Sequence, residues 1–314
     1  HQQPGRPSLG AWTSYGLGSA NANLPTFCVL ITQGIGNMQA LSARFWGSGF
    51  LPSEHQGCRM RSSGDPVLYL KDPAGVSRSD RRAMLDLVKE FNAEESAASL
   101  DSETRTRIAQ AEMAYRMQMS VPELSDLSDE DDETFALYGE DARTPGTFAA
   151  NCLLARRLSE RGVRFVQLYH GGAFGSPRIN WDAHEGIVEN HVGQAASMDQ
   201  PVTALLKDLK QRGMLDDTLV VWTTEFGRTP ITQGIGATGR DHHPFAYTCW
   251  MAGAGLKPGL RYGETDELGY DSVTSPVSVY DFHATVLRLL GIDHTKLTFY
   301  HNGIRRRLTD VHGH

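Results

Sequence analysis

The way the short apolar runs of this chain end restricts its fold more than any other feature. Leu219-Val220-Val221-Trp222 has the apolar, β-branched composition of a strand covered on both faces, and polar residues begin at once with Thr223-Thr224-Glu225-Phe226-Gly227-Arg228. Pro25 to Ile31, Val163 to Tyr169 and Ala246 to Ala252 have the same form, and each opens into glycines or ionisable groups. Ala149 to Glu160, closed near Gly162, reads as an amphipathic helix, as does Ser197 to Arg212, with Val202, Leu205, Leu206 and Leu209 inward and Gly213 as stop. The second of these is placed as a crossover, so strands 163–169 and 219–222 are expected to be parallel members of a βαβ unit. The expected class is α/β, a single domain over residues 1–314 built on a mainly parallel sheet with helices on both faces.

Other stretches are less regular. Ser8 is placed as the cap of a short helix, Val67 to Leu70 as a short strand, and Asp281 as the cap of a last helix, Phe282 to Leu290, stopped by Gly291. Residues 76–135 read as a helical insertion. Ser79 or Asp80 caps one helix with Met84, Leu85, Val88 and Phe91 facing a core, and a second runs from about Ser102 through Ile108, Met113, Tyr115 and Met119 to a stop before Pro122. Glu123 to Glu133 carries seven carboxylates without the alternation and glycine of a calcium loop, so it is expected to be solvated acidic surface. The hexamer Ile31 to Gly36 recurs as Ile231 to Gly236 with unlike flanks, which makes it shared loop chemistry rather than a structural repeat.

Charge and hydropathy exclude several classes of function. Lys+Arg 30 against Asp+Glu 37 gives a net charge of −7, so no general attraction to nucleic acid or anionic lipid is expected. The longest apolar runs fall far short of the roughly 20 residues a membrane helix needs. The four cysteines, Cys28, Cys58, Cys152 and Cys249, form no CxxC pair, which argues against a thiolate zinc site. Cys28, Cys152 and Cys249 sit among apolar neighbours and are read as small buried hydrophobes rather than disulfide partners.

The chemistry-bearing residues lie just past the strands: His170; then Asp182, His184 and His191; then Glu225; then Asp241, His242 and His243. In a parallel sheet these carboxyl ends share one edge, and mixed imidazole and carboxylate donors suit a divalent cation such as zinc or manganese. Asp182 and His184, two apart, point the same way if that segment is extended. Arg228 and Arg240 are candidates to clamp a tetrahedral anion. His191 and His283, inside helical stretches, are assigned to structure. Gly34-Ile35-Gly36 and Gly253-Ala254-Gly255 lack the third spaced glycine of a nucleotide fingerprint.

Gly5-Arg6-Pro7-Ser8-Leu9-Gly10, Ala155-Arg156-Arg157-Leu158, Trp181-Asp182-Ala183-His184, Thr224-Glu225-Phe226-Gly227-Arg228-Thr229-Pro230, Gly239-Arg240-Asp241-His242-His243-Pro244 and Thr265-Asp266-Glu267 resemble the bacterial domain of unknown function 1501 family. That family in turn resembles a sulfatase-like branch of the alkaline phosphatase superfamily, which implies a three-layer sandwich and hydrolysis or transfer of phosphate or sulfate esters. The resemblance implies a divalent metal ion, zinc, manganese or calcium, with Glu225 in the place of the acidic ligand of the superfamily's Asp-His-Gly motif. Asp182 and His184, with His242 or His243, would supply a metal, while Phe226 stands where a histidine ligand is common. It further implies an export signal, a first strand and the nucleophile upstream of His1, so no Ser or Thr here is nominated as the nucleophile. The expected function is a metal-dependent hydrolase of sulfate or phosphate esters in the periplasm or cell envelope, acting on a small anionic ester. The alternative is a non-catalytic protein of the same fold that captures a sulfated glycan or other anionic surface polymer.

Overall fold

A computed structural model describes residues 5–33, 41–61, 72, 75–94, 102–172 and 180–314. The expected strand at Val67 to Leu70 and the Gly34-Ile35-Gly36 turn lie outside the described residues. In chain order the first elements are α1 (Leu9–Leu17), β1 (Phe27–Ile31), β2 (Cys58–Met60), α2 (Arg78–Glu94), α3 (Ser102–Ser125), α4 (Asp132–Tyr138), α5 (Phe148–Glu160), β3 (Phe165–Tyr169) and α6 (Ile187–Gln211). There follow β4 (Leu219–Trp222), β5 (Gly227–Thr232), β6 (Arg240–His243), β7 (Trp250–Gly253), β8 (Glu264–Thr265), β9 (Ser272–Thr274), α7 (Val279–Leu289), β10 (Phe299–His301) and β11 (Ile304–Arg306). The chain divides into two compact units, one of residues 1–31, 41–131 and 157–169, the other of residues 32–40, 132–156 and 170–314.

The first unit holds a parallel three-stranded sheet in the order β2-β1-β3. β1 is apolar at every position and buried along its length, as its composition requires of a central strand. Phe27, Val29, Ile31 and Trp46 form one layer with Leu41, Phe165 and Tyr169. α1 crosses this layer, where Gly10 allows the helix to rest directly on the rings of Phe27 and Phe165; a Cβ there would collide with both. Ser8 caps α1 through the Ala11 N–H at 3.2 Å, as expected.

Four expectations for residues 76–135 need correction. The cap of α2 is Ser77, whose Oγ accepts from the Asp80 N–H at 3.1 Å while Asp80 Oδ2 accepts from the Ser77 N–H at 3.1 Å. The α2 face bearing Met84, Val88 and Phe91 is exposed rather than core, with Phe91 at 62%. α3 does not stop before Pro122 but continues to Ser125, because the packing of the fully buried Val121 and Leu124 holds the last turn despite the donor missing at Pro122. The acidic loop is also more than solvated surface. The Arg157 guanidinium, 2% exposed, donates to Asp129 at 2.6 Å, to Glu130 at 2.9 Å and to the Glu123 carbonyl at 3.0 Å.

In the second unit α6 starts ten residues before the expected Ser197 and passes through Pro201. Its buried Asp208 accepts from Tyr138 Oη at 3.0 Å, Arg156 Nε at 3.0 Å and Arg212 Nε at 2.6 Å, so a buried charge is fully partnered. β4 pairs antiparallel with β7, placing Trp222 beside Trp250. The parallel βαβ pairing of the 163–169 and 219–222 strands is therefore corrected: β3 hydrogen-bonds to β1, and β4 to β7. The expected 246–252 strand begins only at Trp250 and runs to Gly253. Ser278 rather than Asp281 caps α7, with Asp281 returning the bond as the third residue of a capping box. The architecture is thus mixed α/β, a parallel three-stranded sheet with small antiparallel ladders.

Candidate metal centre

Two segments of the second unit build the site. The first is Trp181-Asp182-Ala183-His184, ahead of α6. The His184 N–H bonds the Asp182 carbonyl at 3.1 Å, so a tight turn rather than an extended segment brings the two side chains to one side. The second is the β5–β6 hairpin, where Arg228 and His242 are cross-strand partners and so share a face. Gly239 joins the segments: its backbone lies so close to the Ala183 and His184 carbonyls that a Cβ would collide with both, and the Arg240 N–H bonds the Ala183 carbonyl at 3.0 Å. The Ile187 N–H and the Gly186 N–H continue the contact to the Thr238 carbonyl at 3.2 Å and the Thr238 Oγ1 at 2.8 Å.

Asp182, His184, His242 and Arg228 converge there. Asp182 Oδ1 lies 2.9 Å from His242 Nε2, 3.0 Å from His184 Nε2 and 2.8 Å from Arg228 Nη2, and the two imidazole Nε2 atoms are 3.2 Å apart. Partial burial pushes the Asp182 carboxyl up, but bonds from His242 and Arg228 and the nearby positive charge outweigh it and hold it at about 2. His184 Nδ1 donates to Gln233 Oε1 at 2.8 Å, which turns the lone pair of Nε2 toward Asp182 and His242. Phe226 packs its ring 4.4 Å from that of His242.

This donor set fits a divalent cation. Ligands bonded at about 2.0–2.1 Å stand roughly 2.9–3.4 Å apart at right-angled to tetrahedral geometry, the separations found among Asp182 Oδ1, His184 Nε2 and His242 Nε2. Two imidazole nitrogens and one carboxylate oxygen suit zinc or manganese. An open depression bordered by Glu185, Gln233, Gly234 and Thr238 lies beside His184.

Other candidates stand apart from the cluster. Asp241 Oδ1 is 3.9 Å from His184 Nδ1, behind the ring. His243 projects from the opposite face of β6, is 2% exposed, and lies between Phe245 and Tyr270 with Nε2 on the Tyr270 carbonyl. Glu225 is exposed and accepts from Thr224 Oγ1 at 3.0 Å. Arg240 directs Nη1 to the Gly239 carbonyl at 3.1 Å. His170 accepts from Trp181 Nε1 at 2.9 Å and reaches Ser197 Oγ at 3.0 Å, and burial lowers its pKa to about 4. It is a neutral brace for Trp181, the residue before Asp182. His191, in α6, stacks beside Trp181 and has a buried Nε2 with no hydrogen-bond partner. Gln233 and Trp181 were not foreseen as site residues; the only signal for Gln233 was the recurring hexamer.

No match to the chain is found among curated proteins or among solved structures. The family model described as "Protein of unknown function (DUF1501)" matches residues 1–314, and the chain belongs to that family.

Proposed function

We propose that this protein is a metal-dependent hydrolase of sulfate or phosphate esters, working at the Asp182, His184 and His242 cluster. The observation that carries the reading is the convergence of those three donor atoms within 3.2 Å of one another, with Arg228 against the same carboxylate. A divalent cation held there would polarise an ester oxygen and activate an attacking oxygen. Arg228, whose Nη2 bonds Asp182 and whose Nη1 bonds the Arg240 carbonyl at 3.4 Å, offsets charge on the bound anion. Arg228 takes this role ahead of Arg240 because its Nη2 lies 2.8 Å from Asp182 Oδ1, within the cluster. Gln233 fixes the His184 ring, and the His170–Trp181 pair steadies the approach to Asp182. The motif resemblance supports the finer points of the proposal: kinship to the sulfatase-like branch, a mainly parallel three-layer sandwich, and export to the periplasm or cell envelope. Turnover of an aryl sulfate or an aryl phosphate by the purified protein, with zinc or manganese and lost in Asp182→Asn, is the expected result; metal uptake without turnover of either class removes the reading.

A second reading has its own support. Glu225 stands outside the cluster and the Phe226 ring covers one side of His242, so the ligands of a two-metal phosphatase site are not assembled together. A non-catalytic protein that holds one cation and captures a sulfated glycan fits that arrangement. It predicts glycan binding that depends on the metal, without hydrolysis.

A further inference from the structure

Cys28 is the second residue of β1 and Cys58 the first of β2, and the parallel register makes them Cα partners. Facing residues on neighbouring strands stand roughly 4.8 Å apart, within the roughly 4.4–6.8 Å that a disulfide bridges. The faces agree. Phe27, Val29 and Ile31 share a layer with Trp46, and a side chain at Gly57 would run into Phe27, Val29 and Trp46. Cys28 and Cys58 therefore project together from the other face, as do Leu30 and Met60, the pair two positions on. Both thiols are free here, Cys28 buried and Cys58 partly exposed. Cys152 lies in α5 and Cys249 is exposed ahead of β7; neither has a cysteine in register.

We propose that Cys28 and Cys58 are a redox-linked pair that closes to a disulfide across β1 and β2 on meeting a small dialkyl disulfide such as oxidised glutathione. The Cys58 thiolate, the less buried of the two, attacks the oxidant, forming a mixed disulfide and releasing one glutathione thiolate. The Cys28 thiolate then attacks the Cys58 sulfur, forming the protein disulfide and releasing the second glutathione. The two cysteines lose two protons and two electrons, and one oxidised glutathione becomes two reduced ones. Burial raises both thiols, Cys58 to about 11, and Cys58 raises Cys28 further, so closure is slow in the folded chain at neutral pH and faster at alkaline pH or during folding. The bridge would fasten β2, a three-residue strand that among the described residues pairs with β1.

The test is peptide mapping of the purified chain after refolding in a glutathione redox buffer, with alkylation by iodoacetamide under denaturing, non-reducing conditions. The expected map has a Cys28 peptide cross-linked to a Cys58 peptide, lighter than the two thiol peptides by two hydrogens, with Cys152 and Cys249 alkylated. Cys58→Ser should leave Cys28 alkylated. Alkylation of all four cysteines, glutathione retained on Cys58 without a cross-link, or a cross-link to another cysteine would overturn the proposal. The wild-type map decides alone if the variant does not fold.

Discussion

His242 and His243 are neighbours in sequence and serve unlike ends. A strand alternates its side chains, so one imidazole meets Asp182 and the other is enclosed by Phe245 and Tyr270. Gln233 acts through His184 alone. Gln233→Ala should weaken zinc affinity about 10- to 100-fold in calorimetric titration while leaving one site per chain; unchanged affinity would remove its orienting role. His170 gives a pH signature. Its folded pKa, lowered to about 4 by burial, lies below an unfolded value of about 6.5, so its contribution to stability is full above pH 6.5 and is lost as pH falls toward 4. The difference is on the order of 3 kcal/mol at most. Urea denaturation of wild type and His170→Gln should diverge above pH 6.5 and converge near pH 4; parallel curves would show that His170 is not buried neutral. The ionisable cluster was legible in the sequence because carboxylate, imidazole and guanidinium groups crowded the ends of short apolar runs. Which histidine of the pair enters it, and the part of Gln233, were not, because hairpin register decides both.

Among the elements, those with local signals were legible. Ser8 before α1, Gly162 after α5 and Gly291 after α7 mark ends set by backbone chemistry within a turn. The start of α6 and the end of α3 were misplaced because burial of Gln194, Val121 and Leu124 outweighs the local stop signals. The acidic loop was read as solvated because nothing local shows that Arg157 would be buried against it. Arg157→Leu leaves Glu130, 10% exposed, without its cation, and should lower unfolding free energy by about 3 kcal/mol. Asp129→Asn should cost far less, since Asp129 is largely exposed. Equal losses in denaturant titrations would contradict this lock. The β5–β6 hairpin depends in turn on Gly239. Gly239→Ala should cost about 1–3 kcal/mol and weaken metal binding at least about tenfold, with circular dichroism unchanged, because the new methyl displaces the His184 carbonyl. Wild-type metal affinity in that variant would show that the close approach is not needed.

For the whole molecule, the chain passes back and forth between two compact units, and the donor atoms of the cluster all belong to the second. The α/β class was legible, but of the mainly parallel sheet expected only a three-stranded parallel part, β2-β1-β3, is seen among the described residues, and the other ladders there are antiparallel. The partner of β4 was not legible: four apolar residues suit a parallel or an antiparallel ladder equally, and only the return of the chain through β7 settles which. Among the described residues no helix is long and apolar enough to cross a membrane. The central claim is that Asp182, His184 and His242 hold one divalent cation. An anomalous difference map from crystals grown with zinc tests it most directly: a single strong peak is expected about 2.0–2.2 Å from Asp182 Oδ1, His184 Nε2 and His242 Nε2. A map with no peak there, or with its peak at other residues, would contradict it.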